Sequence, residues 1–303
     1  MMATRWAEAR STSVGIKQRI TNNESPMQIW QADFYRRPLQ TETGQPIWEL
    51  LICDASRQLE YIAFCPQSEI NTTWLIQQLQ QATQTQLPDV ILVFRPQCLS
   101  LLQTAANTLG ISVKPSRRTA AVKQWLQQRC QVYPQLEGYT AEVDQPITIE
   151  QSPPVPLPEN LWGEVWQFAT LEAGELIKTF AEYPIPILHI PKALQPLNLG
   201  LASTVPISGV VINGGRQSMQ LARWLQNADP VALNYIPGQP DGLILEAGLV
   251  DRFVVATFED TEVSAAAKRF ETRKQLAKGL HFLLIQPDDS GITYTGFWLL
   301  QPA

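Results

Sequence analysis

Imidazole chemistry in this 303-residue chain rests on two histidines, and neither stands beside a nucleophile. His189 lies between Pro186 and Pro191, His281 opens an apolar run, and no GxSxG string accompanies them. The four cysteines (Cys53, Cys65, Cys98, Cys130) are widely spaced, with no CxxC and no cysteine–histidine spacing suited to a metal, so they read as reduced packing thiols. Asp241 and Glu246 resemble the acidic part of a Mg²⁺-dependent nuclease site, where carboxylates at strand ends hold the ion. The lysine such sites place two residues after the second acid is Gly248 here. No cofactor and no metal is expected from these spacings.

Charge offers more than acid–base chemistry. The run Val211 to Ser218 (VINGGRQS) reads as a strand, a Gly-Gly turn and a helix start, an arrangement that aims backbone N–H groups at an anion beside Arg216. It carries neither GK[ST] nor GxGxxG. Three basic clusters stand out: Arg36-Arg37; then Lys114, Arg117, Arg118 and Lys123; then Lys268, Arg269, Arg273, Lys274 and Lys278. The first adjoins Trp30, Phe34 and Tyr35, and cations mixed with aromatic faces suit single-stranded nucleic acid, with phosphates on the charges and unstacked bases on the rings. The second cluster has no acid within ten residues and sits at an expected strand-to-helix junction. The third falls late in an expected helix, where lysines complement the macrodipole.

The net charge of −5 hides an asymmetry. Residues 1–133 hold 13 Lys/Arg and 9 Asp/Glu; the remaining 170 hold 10 and 19. Phosphate contact depends on local clusters rather than the sum, so a cationic first half is compatible with RNA. No run of eighteen apolar residues occurs, so no membrane-inserting helix is expected.

The elements that must position these residues follow from periodicity. Ile29 to Pro38, Ile47 to Ala55 and Tyr61 to Cys65 read as strands, followed by a helix from Ser68 to Gln86 with a stripe of Ile70, Trp74, Leu75 and Leu79. Val90 to Phe94 and Ile111 to Lys114 are strands around a helix from Cys98 to Leu109, and Thr119 to Val132 is a third helix. Residues 134–160 are acidic and proline-spaced, which fits an extended linker. Beyond it come a strand at Trp162 to Leu171, a helix at Glu172 to Ala181 and a proline-spaced stretch of unassigned form. A strand at Gly209 to Ile212 and a helix at Gly215 to Asn227 precede a meander of three strands. A helix from Glu262 to Lys278, capped by Asp260 or Thr261 and ended by Gly279 at C′, leads into the hairpin GLHFLLIQPDDSGITYTGFWLL. The expectation is an α/β (α+β) chain with a loosely ordered leader over 1–25 and two mixed-sheet domains, 26–133 and 161–303, helices packed on the sheets.

Strings in a fixed order add what periodicity cannot. WQADFYRRP, WELLICD, VKPSRRTAAVKQWLQQR, PENLWGEVWQFATL, GLILEAGLVDRFVVATF and the closing GLHFLLIQPDDSGITYTGFWLL resemble the signature blocks of the Tab-like family, from about Trp30 to Leu300. That resemblance implies a non-enzymatic protein binding A/U-rich mRNA and promoting translation or assembly of photosystem I, and by extension photosystem II, subunits. It also implies translation or assembly factors as partners, and a cyanobacterial cytoplasm or alternatively a chloroplast stroma. The family ties RNA contact to no particular residue here, so charge and aromatic placement nominate Trp30, Tyr35, Arg36, Arg37, Lys114, Arg117, Arg118, Lys123 and Arg216. Trp298, Leu299 and Leu300 are nominated for partner binding. Two rivals stay open on the residues alone, the nuclease reading of Asp241 and Glu246 and a protein-binding scaffold presenting Trp298.

Overall fold

The computed structural model describes residues 27–83, 86–141, 151–181 and 183–302; the expected leader and the acidic stretch 142–150 lie outside them. The first half is built on a strand with two differently used faces. In β1 (Ile29–Gln40), Trp30, Ala32 and Phe34 alternate with Gln31 and Asp33, so one side is apolar and the other polar, yet both are buried. β1 pairs antiparallel with β2 (Pro46–Asp54), which pairs with β3 (Glu60–Pro66), and parallel with β4 (Val90–Val93), which pairs with β5 (Ser112–Pro115). The sheet order is β3-β2-β1-β4-β5. On the apolar side α1 (Thr72–Gln81) and α2 (Pro96–Thr108) bury Leu75, Leu79, Leu102 and Ala105 against Trp30, Phe34 and Ile52. On the other side α3 (Ala120–Val132) sets Val122, Trp125 and Leu126 on Leu51, Cys53 and Phe94.

Helix α1 begins four residues later than its apolar stripe suggests. Residues Gln67–Glu69 form a separate 3₁₀ turn, and the Asn71 side chain then accepts from the Trp74 N–H at 2.9 Å, a cap that starts the helix afresh. Helix α2 opens with Pro96 in its first turn, where a missing N–H costs nothing.

The second half holds two sheets rather than one. Strands β7 (Val165–Glu172), β9 (Pro206–Asn213), β13 (His281–Gln286), β14 (Gly296–Leu300) and β8 (Ile187–His189) form a mixed sheet in the order β7-β9-β13-β14-β8. The expected meander, β10 (Pro230–Ile236), β11 (Asp241–Ala247) and β12 (Asp251–Phe258), makes the second sheet. Its fourth member is β6 (Val155–Pro156), from the segment expected to be linker, which pairs parallel with Phe253 and Val254. A proline strand is tolerated there because it sits at the sheet's edge.

The three central strands of the five-stranded sheet, β9, β13 and β14, are buried on both faces. Leu283, Ile285, Trp298 and Leu300 share a core with α5 (Ser218–Ala228) and the meander, while Phe282, Leu284, Phe297 and Leu299 pack under α4 (Ala173–Ala181). Such two-sided burial explains the continuous apolar runs of the closing hairpin. The fit is tight: a Cβ at Gly209 of β9 would come within 2.4 Å of the Phe282 ring. Helix α6 (Thr261–Leu276) starts on Asp260, whose carboxylate accepts from the N–H groups of Glu262 and Val263. At its end Lys278, not Gly279, takes the first left-handed position (φ 56°), and Gly279 N–H reaches back to the Lys274 carbonyl at 2.7 Å.

Candidate nucleic-acid interface

The polar face of β1 captures residues that charge alone assigns to RNA. Arg37 is 2% exposed; its Nη2 donates to Asp33 at 2.6 Å and its Nε to Glu49 at 3.0 Å. Arg95 donates to the other Asp33 oxygen, and Arg129 and the Tyr133 hydroxyl both donate to Glu49. Burial by itself lowers the Arg37 pKa, but Asp33, Tyr133 and Glu49 outweigh it and raise it overall, so its charge is fixed inside this network. Arg37 therefore corrects the sequence expectation: it is a structural cation. Trp30, 4% exposed and in the α1/α2 core, is likewise unavailable to stack a base. Tyr35 is half-buried, with the Arg95 guanidinium 4.1 Å from its ring centroid, so one face is already covered. Arg36 points outward and is exposed.

The second cluster divides in the same way. Arg117 crosses to the second half, where it ion-pairs with Glu246 and donates to the Gly248 and Ala247 carbonyls at 2.9 and 3.3 Å. Lys123 donates to the Arg117 carbonyl at 2.7 Å, and burial followed by the nearby Arg117 lowers its pKa. These two side chains fasten the junction. Lys114 and Arg118 remain exposed on the same segment. Arg118 lines a cavity of about 290 Å³ with Ser116, His189 and Asp229; partial burial lowers its pKa and Asp229 opposes that.

Arg216 is exposed, but the Gly-Gly turn before it is not an anion cradle. Gly214 N–H donates to the Gln286 carbonyl and Gly215 N–H to that of Pro287, so these donors are spent tying β9 to β13. Asp241 and Glu246 do not converge either. They stand five residues apart along β11, about 17 Å at strand rise. Asp241 accepts from Ser264, the Gly238 N–H and Tyr235, which with Lys268 hold its carboxyl below the usual range; Glu246 is bound by Arg117 and Asn234. Among the described residues no group of three or more His, Cys, Asp or Glu is arranged to hold a metal ion. His281 is sealed in the core, and Trp298, Leu299 and Leu300 are 1–2% exposed, so the partner-binding expectation for that tripeptide is corrected: it seals the sheet.

Periodicity alone overlooked a groove in the second half. Two cavities, of about 510 and 560 Å³, open between β7 and β12 and share Trp166 and Thr257 as a common wall. Trp162, 57% exposed, stands at one end, its ring held by an Nε1 bond to the Leu157 carbonyl at 2.9 Å. Trp166, Phe168 and Phe258 are half-buried, with Trp166 5.4 and 5.5 Å from the other two rings. The signal was in WGEVWQFATL, where Trp166, Phe168 and Thr170 alternate onto one strand face.

Helices packed on mixed sheets define an α/β protein that leaves Lys114, Arg118 and Arg216 exposed and Trp166, Phe168 and Phe258 half-buried. Comparison with known sequences gives the family: the descriptions "RNA-binding protein Tab2/Atab2 N terminal" and "RNA-binding protein Tab2/Atab2, C-terminal domain" match residues 29–129 and 144–301, and the chain belongs to that family. It is 30% identical over 283 residues to "Protein TAB2 homolog, chloroplastic" of Zea mays, covering 89% of this chain and 70% of that one. The Arabidopsis thaliana protein of the same description is 31% identical over 277 residues, with 89% and 74% covered. Among solved structures, a simian T-cell lymphotropic virus intasome in complex with PP2A regulatory subunit B56 gamma matches at TM-score 0.25 and 14% identity, covering 48% of this chain and 65% of that one. The catalytic core domain of BIV integrase matches at TM-score 0.25 and 14% identity, covering 35% and 64%. At these values neither likeness carries an argument.

Proposed function

We propose that this chain is a non-enzymatic factor that binds A/U-rich single-stranded mRNA and promotes translation or assembly of photosystem I subunits, with photosystem II subunits as further clients. The observation that carries the reading is the family match over both halves of the chain, residues 29–129 and 144–301. Lys114 and Arg118 support it, as exposed cations on one short segment with the means to hold successive phosphates, and Arg36 and Arg216 add charge elsewhere on the surface. Translation or assembly factors would meet the RNA-bound protein. Its place is a photosynthetic compartment, either a cyanobacterial cytoplasm or a chloroplast stroma, and the chloroplastic relatives favour the latter.

The test is binding of the full chain to an A/U-rich single-stranded RNA across a salt series. Lys114→Glu with Arg118→Glu is expected to weaken binding and to flatten the log–log salt slope by about 0.7 for each phosphate no longer held. Wild-type affinity and slope in that double variant would remove these residues from the interface. A wild-type chain that binds no RNA would remove the function.

A further inference from the structure

We infer that the groove between β7 and β12, walled by α6, is a binding surface for single-stranded RNA in the second half of the chain, separate from Lys114 and Arg118. The inference rests on the RNA-binding reading and adds where bases would stack. Its first ground is the aromatic wall already described: Trp162 exposed and locked by its indole N–H, and Trp166 dividing two cavities each of ligand size.

The second ground is charge placed on the opposite wall. Spacing on a helix puts Glu262, Ala266, Arg269 and Arg273 on one face of α6. That face looks at β7: Ala266 and Arg269 line the cavity with Trp166 and Phe168, and Arg273 Nη1 donates to the Thr170 hydroxyl at 2.6 Å. Lys268 is exposed one residue away, toward Asp241. By spacing alone, the five basic residues of this region complement the helix macrodipole. In the structure Lys274 turns inward, to the Leu233 carbonyl, Asn234 and Glu271, and Lys278 donates to the Leu199 carbonyl, which leaves Arg269 and Arg273 along the groove. A cationic rail facing aromatic rings is the chemistry of a polyanion with flat bases; an apolar peptide would gain nothing from the rail. Gln167 and Glu262 on the same walls can accept from an exocyclic base amine.

The experiment uses the full chain and an A/U-rich RNA oligonucleotide, with affinity read by fluorescence anisotropy at several salt concentrations and folding checked by near-UV circular dichroism. Trp162→Ala is expected to weaken binding roughly 5- to 150-fold, the loss of one stacked base, and Trp162→Phe to restore most of it. Arg269→Glu is expected to flatten the salt slope by about 0.7. Ultraviolet crosslinks should map to the peptide carrying Trp162 and Trp166. If Arg118→Glu weakens binding while folded Trp162→Ala and Arg269→Glu do not, the groove is not an RNA surface, although the chain still binds RNA. If Trp162→Ala loses a protein partner and keeps its RNA affinity, the groove belongs to that partner and the inference falls. Absence of RNA binding by the wild type would defeat the functional reading together with this one.

Discussion

Mild acid should weaken this fold through one core histidine. His281 is fully buried; its Nε2 accepts the Leu233 N–H at 2.8 Å, which leaves Nδ1 to donate to the Gly279 carbonyl, also at 2.8 Å. Both ring nitrogens are thus satisfied in the neutral form, and a second proton would have to displace the Leu233 bond. Burial, with Lys274 nearby and only partly offset by the Gly279 bond, pushes the His281 pKa down to about 3. The unfolded chain takes up this proton near its ordinary value of 6.5, whereas the folded chain refuses it until about 3. Stability from this group is therefore complete above about pH 6.5 and is lost as pH falls toward 3, at about 1.4 kcal/mol per unit. Between pH 7 and pH 5 the loss is about 2 kcal/mol. The assay is urea unfolding at both pH values for the wild type and for His281→Gln, which keeps a donor and an acceptor but cannot titrate. Carboxylates and His189 are common to both proteins and cancel in the difference. An equal pH 7-to-5 change in the two would refute the argument.

Two further outcomes follow from ion pairs. Arg37→Met should destabilise the chain by about 3–5 kcal/mol in urea unfolding, because Asp33 and Glu49 stay buried with part of their countercharge gone; a loss under about 1 kcal/mol would show that the network is replaceable. Arg117→Ala should cost about 2 kcal/mol by the same measurement and speed limited proteolysis, since it removes the bonds to residues 246–248; unchanged stability and cleavage would mean that the junction is held elsewhere.

Local elements were legible where one period ruled. β1 with β2, α3, the meander and the closing hairpin stand close to where alternation and stripe put them, and Asp260 caps α6 as expected. Pairing that spans the chain was not legible. Nothing in Val155-Pro156 announces that β12 lies beside it, and Ile187–His189 is too short for alternation to register, yet it forms the edge next to β14. Surface residues failed for a related reason: a cation's charge is in the sequence, but its countercharge is placed by the fold. Arg36 and Arg37 look alike as neighbours, and strand alternation leaves one exposed and buries the other against Asp33 and Glu49. Arg117 and Arg118 part in the same manner, because Glu246 comes from 129 residues further on.

The two residues of β6 have a consequence for life at high protein concentration. A sheet's last strand offers an unpaired row of amides and carbonyls that a second molecule can copy. Here Val155 and Pro156 occupy part of that row on β12, and Pro156, with no N–H, has no donor to offer a further strand. Over those two positions the four-stranded sheet ends on a strand too short and too poor in donors to be extended, so a fragment of proline-rich chain covers part of an edge that self-association could use.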